Sequence, residues 1–204
     1  PNLWPNTPDI LSENLQISGK AGFLTRFVLA ATLSSNYGVY GPAFELMDNT
    51  PKEPGREEYL NSEKYEIKNW NIDDRKNLKP MIKLINRIRK ENPALQNNSS
   101  LQFHHINNEQ LICYSKHNHD MSNIILVIVN LDQHHTHSGH IHFPVEIFGM
   151  DPKSSYQLQD LVSGSYFLWS GSSNYVELNP GVIPFHIMRI RRKLRTEQDF
   201  DYFM

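Results

Sequence analysis

From about Lys20 to Leu33 apolar residues recur at spacings of three and four, through Phe23, Phe27, Val28, Ala30 and Ala31, with no proline in the stretch. That period predicts a buried helix. Tyr37-Gly38-Val39-Tyr40-Gly41-Pro42 follows, a short β-prone run cut off by glycine and proline, and it reads as a buried strand. Helix then strand is half of a repeating β/α unit. Between Phe44 and about Ile72 the chain is polar and aperiodic, yet Phe44, Tyr59, Leu60, Tyr65 and Trp70 favour an ordered loop over a disordered one. A second helix is expected from Asp73-Asp74, with Leu78, Met81, Ile82, Leu84, Ile85 and Ile88 on one face and Lys79, Lys83, Arg87 and Lys90 on the other. Pro93 stops it, and acidic residues at its start with basic ones at its end suit the helix dipole.

Past the polar spacer Gln96 to Ser100 the period changes. Short β-rich runs separated by turn residues cover Leu101 to Ile106, Gln110 to Ser115, Asn123 to Asn130, Gly139 to Phe143, Ser155 to Asp160, Tyr166 to Leu168, Asn174 to Leu178 and Pro184 to Ile190. Their spacing predicts an antiparallel β-sandwich. The expected fold class is therefore α/β followed by all-β. Residues 1–95 form one unit, residues 96–193 the sandwich, and residues 194–204 a polar tail.

Composition narrows the function. The 204 residues are 39% hydrophobic and 21% charged with a formal net charge of −2, ordinary for a globular protein and unlike a general nucleic-acid binder. The basic run Arg189, Arg191, Arg192, Lys193, Arg195 follows a strand-like segment and precedes an acidic-aromatic tail, so it reads as a solvated terminus. Cys113 is the only cysteine, which excludes an internal disulfide and suits a reducing, cytoplasmic setting. The longest apolar run, Ile124 to Val129, is too short to span a bilayer, and no membrane partner is expected. The chain opens on Pro1-Asn2-Leu3-Trp4-Pro5 with neither an initiator Met nor an evident first element, the pattern expected of a fragment.

Three groups of residues could carry chemistry. His134, His135, His137, His140 and His142 crowd together, but the common zinc spacings are absent, so neither a metal nor any other cofactor is expected. No Gly-x-Ser-x-Gly elbow or Cys/His arrangement is present. What remains is carboxylates and aromatics: Asp9, Glu45, Asp48, Glu63, Lys64 and Tyr65, in loops that would follow strands on one side of a β/α array. Mixtures of this kind bind sugars, although a solvated polar loop has the same composition. Asp9 itself admits two readings. Pro8 pushes Thr7 towards extended geometry, which would present Asp9 at a strand's end. Equally, Asp9 could cap a helix that Glu13 supports.

Taken in order, several blocks resemble one family: Asn6-Thr7-Pro8-Asp9-Ile10-Leu11, Phe27-Val28-Leu29-Ala30-Ala31-Thr32-Leu33-Ser34, Tyr37-Gly38-Val39-Tyr40, Phe44-Glu45-Leu46 with Asn49-Thr50-Pro51, Glu58-Tyr59-Leu60, Ser62-Glu63-Lys64-Tyr65, and Val129-Asn130-Leu131-Asp132 with His134-His135-Thr136. They are similar to the α-1,4-glucan:maltose-1-phosphate maltosyltransferases, a branch of the α-amylase superfamily, over nearly the whole chain up to about Arg189. The resemblance implies that residues 1–95 are the last part of a catalytic (β/α)8 barrel and that the β-rich part is the amylase-type C-terminal domain.

It further implies that Asp9 is the carboxylate that stabilises the transition state and that Lys64 and Tyr65 bind substrate. The nucleophile and general acid lie upstream, so the upstream part of the same enzyme is a required partner and this piece alone is expected to be inactive. Substrates would be maltose 1-phosphate and an α-1,4-glucan, and the assembly a homodimer. One departure separates the chain from amylases in general, which place His directly before this Asp; here Pro8 stands there. The alternative is a non-catalytic α-glucan-binding or scaffolding module whose β-rich half does the work.

Overall fold

The structure, a computed structural model, describes residues 2–71, 73–74 and 76–191. Strands β1 (Asn2–Leu3) and β2 (Asn36–Tyr37) run parallel, Asn2 opposite Asn36 and Leu3 opposite Tyr37. Between them lie helices α1 (Glu13–Ile17) and α2 (Gly19–Leu33). Parallel neighbours need such a crossover; the expected helix-then-strand half is present, and β1, which was not anticipated, completes it to a βαβ unit. The strand predicted through Tyr40 is only two residues long, because the chain turns into helix α3 (Gly41–Glu45) with Pro42 in its first turn. α1 and α2 are separate because Gly19 takes a left-handed φ of +54°, which a glycine adopts without steric cost.

Helix α2 is buried nearly all round, from Gly22 to Thr32, and its C-terminal end is inside the protein. Its last carbonyls lack partners within the helix, so other elements must supply donors. Arg89 gives its guanidinium to the carbonyls of Ala31, Ser34 (3.2 Å) and Ser35 (2.7 Å) and lies 4.9 Å over the Tyr37 ring. The buried Lys116 reaches the Thr32 and Leu33 carbonyls, each at 3.4 Å. Burial first, and the nearby Arg89 charge second, bring the Lys116 pKa down to about 8.

Arg89 belongs to α4 (Lys79–Glu91). That helix starts later than the sequence predicts. Pro80 sits in its first turn, and no acidic residue does; Asp74 instead accepts from the Lys76 amide in the turn before it. Only the basic half of the expected dipole match is realised, by Arg89 and Lys90 in the last turn. The dyad Asp73-Asp74 therefore does not open the helix. After it, Pro93–Gln96 form a short 3-10 turn.

Eight strands follow: β3 (Gln102–Ile106), β4 (Leu111–His117), β5 (Ile124–Asn130), β6 (His137–His142), β7 (Ser155–Asp160), β8 (Tyr166–Ser170), β9 (Ser173–Leu178) and β10 (Phe185–Arg191). Each coincides with a predicted β-run. They pair antiparallel throughout, in the order β8-β7-β10-β5-β4-β3-β6-β9, so the antiparallel all-β half expected from the sequence is present, with its layers continuous through β3. Strand β3 is the reason: Gln102 to His104 pair with β4, while His105 and Ile106 pair with β6. A strand that changes partner midway turns the sheet's corner without breaking it. The two end strands, β8 and β9, are consecutive in the chain, joined through Gly171-Ser172, so the sheet rolls into a nearly closed barrel.

Side-chain alternation divides the apolar residues between two cores. Along β5, Ile124, Leu126 and Ile128 point into the roll with Phe143, Phe148, Tyr156, Leu158 and Met188. Ile125, Val127 and Val129 point outward and meet Phe23, Phe27, Val28 and Leu95. Burying one such side chain contributes about 1.5–3 kcal/mol, so a strand buried on both faces binds the helices and the roll tightly together. Cys113 lies in the inner core, where burial pushes its thiol up and keeps it protonated. Among the described residues no helix is long and apolar enough to cross a membrane. Arg192, Lys193, Arg195 and the 194–204 tail lie outside the described residues.

Candidate functional site

Two loops leave the C-terminal ends of β1 and β2 side by side, and Asn6 ties them together. Its side chain is buried; the carbonyl oxygen accepts from the Tyr40 amide (3.0 Å), and the NH2 group donates to the Tyr40 carbonyl (3.2 Å) and the Tyr59 hydroxyl (3.0 Å). Burial, its largest influence, holds that hydroxyl protonated, with the Tyr59 pKa up at about 12. Arg26 of α2 donates to the Pro5 carbonyl at 3.0 Å and fixes the same loop to the helix. Gly38 is needed beside β2 because a Cβ there would overlap the Trp4 ring.

Asp9 sits at the tip of a tight turn in which Thr7 and Ile10 exchange backbone hydrogen bonds, with Pro8 at the position whose φ proline presets. The helix-cap alternative fails here: α1 begins at Glu13 and Ser12 occupies its N-cap position. Nor is Asp9 on a strand, since β1 ended six residues earlier. Its carboxylate is 61% exposed, and Lys64 Nζ lies 3.2 Å from Oδ1.

Three residues proposed from sequence are thus brought together across 55 positions of chain. Lys64 pairs with Asp9 and lies 5.4 Å from the Tyr65 ring centroid, with Lys52 at 5.6 Å from the same ring. The hydrogen bond to Asp9, foremost, and that to Tyr65 raise the Lys64 pKa and keep the ammonium charged. The backbone of this segment is set by buried Ser62, whose carbonyl accepts from the amides of Tyr65 (2.9 Å) and Glu66 (3.1 Å) and whose hydroxyl accepts from that of Lys64 (3.3 Å).

Beside the pair, Glu63 accepts from the Tyr40 hydroxyl and from Trp70 Nε1 at 3.0 Å. Those two bonds, Tyr40 first, hold its carboxyl below the usual range, while burial and Glu63 together push the Tyr40 phenol up. Asp48 pairs with Lys68 at 2.7 Å, and that ammonium also lies 4.5 Å over the Trp70 ring. Glu45, a further candidate, contributes its backbone carbonyl to the Leu78 amide (2.8 Å). The roles of Asn6, Tyr40, Lys68 and Trp70 had no sequence signal, because each depends on a partner at irregular distance along the chain. The face as a whole offers fixed carboxylates, ammonium groups and aromatic rings to an incoming ligand, a set suited to sugar hydroxyls and ring faces.

The histidine run makes a different structure. Asp132 Oδ2 meets His135 Nδ1 and His137 Nε2, each at 2.9 Å, and Oδ1 accepts from the His134 amide at 2.8 Å. The His137 bond leads in holding the Asp132 carboxyl far below its usual range. The arrangement fixes the turn entering β6; among the described residues no three His, Cys, Asp or Glu side chains are grouped to hold a metal.

Residues 103–190 match the family model described as GLGE, C-terminal. A relative from Chlorobaculum tepidum named alpha-1,4-glucan:maltose-1-phosphate maltosyltransferase is 52% identical over 196 residues, covering 93% of this chain and 29% of the relative. Identically named relatives from Methylacidiphilum infernorum (47% over 190 residues, 93% of this chain, 28% of theirs) and Salinibacter ruber (42% over 198 residues, 97% and 29%) behave alike. The chain thus spans between a quarter and a third of the length of these curated relatives. Among solved structures, an AmyP variant in complex with maltotriose superposes with a TM-score of 0.66 at 15% identity, over 93% of this chain and 40% of that one. An Anoxybacillus alpha-amylase gives 0.53 at 10% identity, over 85% and 33%. At such identities these two speak for the fold alone.

Proposed function

We propose that this chain, a stretch of the α-1,4-glucan:maltose-1-phosphate maltosyltransferases, forms part of a retaining enzyme that moves maltosyl units from α-maltose 1-phosphate to the non-reducing ends of α-1,4-glucans. The single observation that carries the site is the contact of Asp9 with Lys64, 3.2 Å apart, in the loops that follow two parallel strands. Functional loops gather on that side of parallel β/α folds. Residues 1–95 are accordingly the closing β/α units of a (β/α)8 barrel, residues 96–193 its C-terminal domain, and the nucleophile and general acid come from outside these 204 residues.

Retaining glycosyl transfer passes through an oxocarbenium-like transition state between two carboxyl groups. Asp9, held beside Lys64, is a third carboxylate whose hydrogen bonds to the sugar strengthen as positive charge develops. Preorganised donors and charges of this kind contribute about 2.7–4 kcal/mol, or 10²–10³ in rate. Lys64 holds the donor sugar and Tyr65 gives it a ring face. The reading extends to a cytoplasmic homodimer, supported by the lone, buried Cys113 and by the family resemblance.

The test is Asp9→Asn in the enzyme that contains this chain, following phosphate release from α-maltose 1-phosphate with a maltooligosaccharide acceptor. Turnover should fall by about 10²–10³ with the fold unchanged; turnover near that of the parent enzyme overturns the role given to Asp9.

A further inference from the structure

The inside of the rolled sheet is filled along most of its length, but one end is open. Pairing register shows which side chains face that opening. Asp160 is opposite Met188, and Phe167 is opposite Leu158; His186 precedes Met188 by two residues. Met188, Leu158 and Leu178 all belong to the inner core, so Asp160, Phe167 and His186 continue the inner face to the mouth of the roll. There they line a cleft of about 320 Å³, rimmed by Glu177, Asn179, Val182 and Ile183. It shares no residue with the Asp9 face.

The floor is preorganised. Asp160 is almost wholly buried and accepts from His186 Nδ1 (3.1 Å), the Ser163 hydroxyl (2.7 Å) and the Val162 amide (3.1 Å). Burial alone would raise its pKa; the three hydrogen bonds outweigh burial and leave it below the usual carboxylate value. With Nδ1 turned to Asp160, the ring of His186 is fixed in orientation, and Nε2 has no protein partner among the described residues. The ring of Phe167, 38% exposed, stands edge-on to His186 at 6.0 Å, and Val182, 74% exposed, makes the opposite apolar lip.

The lining also shows what the cleft rejects. Among the described residues it holds two carboxylates and no lysine or arginine, so a phosphate or a phosphosugar would be repelled. An apolar ring face, a directed imidazole, an amide, a carboxylate and two serines instead match a neutral polyhydroxyl ligand. The volume is at the lower end of the range for small-ligand pockets, which suits one or two sugar rings, the end of a chain more than its middle.

We propose that this mouth is a second saccharide site, which holds the neutral end of an α-glucan apart from the Asp9 face. The identity of the saccharide, though not the existence of the site, rests on the function proposed above. Such a site anchors the polymer while another of its ends reacts, raising the local concentration of acceptor ends.

The test is an NMR titration of the 204-residue chain with maltose, maltoheptaose and maltose 1-phosphate. Maltose and maltoheptaose should perturb the amides of residues 163–167, 177–183 and 186, saturably, and the phosphorylated sugar should not do so at these positions. Phe167→Ala and Val182→Asp should each raise the dissociation constant for maltoheptaose by about tenfold. Val182 is exposed on a turn, so its variant reports on binding even where Phe167→Ala perturbs the fold. Asp9→Asn should leave this binding unchanged. Absence of saturable shifts at the mouth in the unaltered chain up to millimolar sugar overturns the proposal, as does binding that Asp9→Asn abolishes and Val182→Asp spares. Neither result touches the role of Asp9 in turnover. Conversely, normal turnover of the Asp9→Asn enzyme alongside mouth binding would refute that role and leave the second site standing.

Discussion

The rolled sheet and the Asp9 face are built on opposite principles. The sheet is held by continuous backbone ladders and by side chains buried on two sides, so that β5 touches solvent nowhere along Ile124–Asn130. The Asp9 face is irregular chain fixed at a few points by polar side chains: Asn6 between two loops, Ser62 under Lys64, Glu63 between Tyr40 and Trp70. Stability is therefore concentrated in the ladders and two-sided core of the sheet, and the groups of the Asp9 face contribute little to it. A rigid scaffold carrying functional loops is the general solution, and here one chain shows both extremes.

Substitutions sharpen that contrast in graded steps. Phe27→Ala empties a site shared by the helices and the outer face of the sheet and should destabilise the chain by about 3–5 kcal/mol, measured by denaturant unfolding. A loss below 1 kcal/mol would show that the two parts do not depend on each other. Arg89→Ala strips donors from three carbonyls at the end of α2 and should cost about 1.5–3 kcal/mol in the same assay.

Lys116 gives a smaller effect with a distinct signature. Its folded pKa, about 8, lies below the unfolded value near 10.5, so in that interval the unfolded chain binds more protons than the folded one. Stability from this group therefore rises with pH between about 8 and 10, until the buried tyrosines, whose pKa values are raised, begin to act the other way. Lys116→Met should flatten that rise; an unchanged pH profile would remove Lys116 as its source. Smallest of all, Lys64→Ala should leave the melting temperature where it is, since the residue is exposed, while raising the apparent KM for maltose 1-phosphate in the enzyme that contains the chain. A drop in thermal stability without a change in KM would reverse the contrast between the two regions at its most telling residue.

The same division explains what could be read from the amino acids. All eight strands of the sheet were legible, because alternation and turn residues are local signals. Strand order was not, because the change of partner within β3 depends on register with residues far along the chain. The antiparallel domain was therefore foreseeable and its closure into a roll was not. Helix α4 was legible on its apolar face, yet its start was misplaced, since the acidic dyad Asp73-Asp74 resembled a first turn that Pro80 provides instead. In the site, Asp9, Lys64 and Tyr65 could be named from resemblance and composition. The network around Glu63 could not, because Tyr40 and Trp70 reach it from 23 and 7 residues away with no periodic spacing.

The position of β10 has a consequence for how the chain is made. The last of the described strands is inserted between β7 and β5, near the middle of the sheet, and it completes both cores, Phe185 and Ile187 on one side and Met188 and Ile190 on the other. During synthesis the other seven described strands of this sheet emerge from the ribosome before the strand that joins its two halves. Until Arg191 has cleared the exit tunnel, β5 and β7 each expose an unpaired edge, and the nascent domain must be kept from pairing with its neighbours. Folding of this sheet is thus a late event, governed by its most distant contacts.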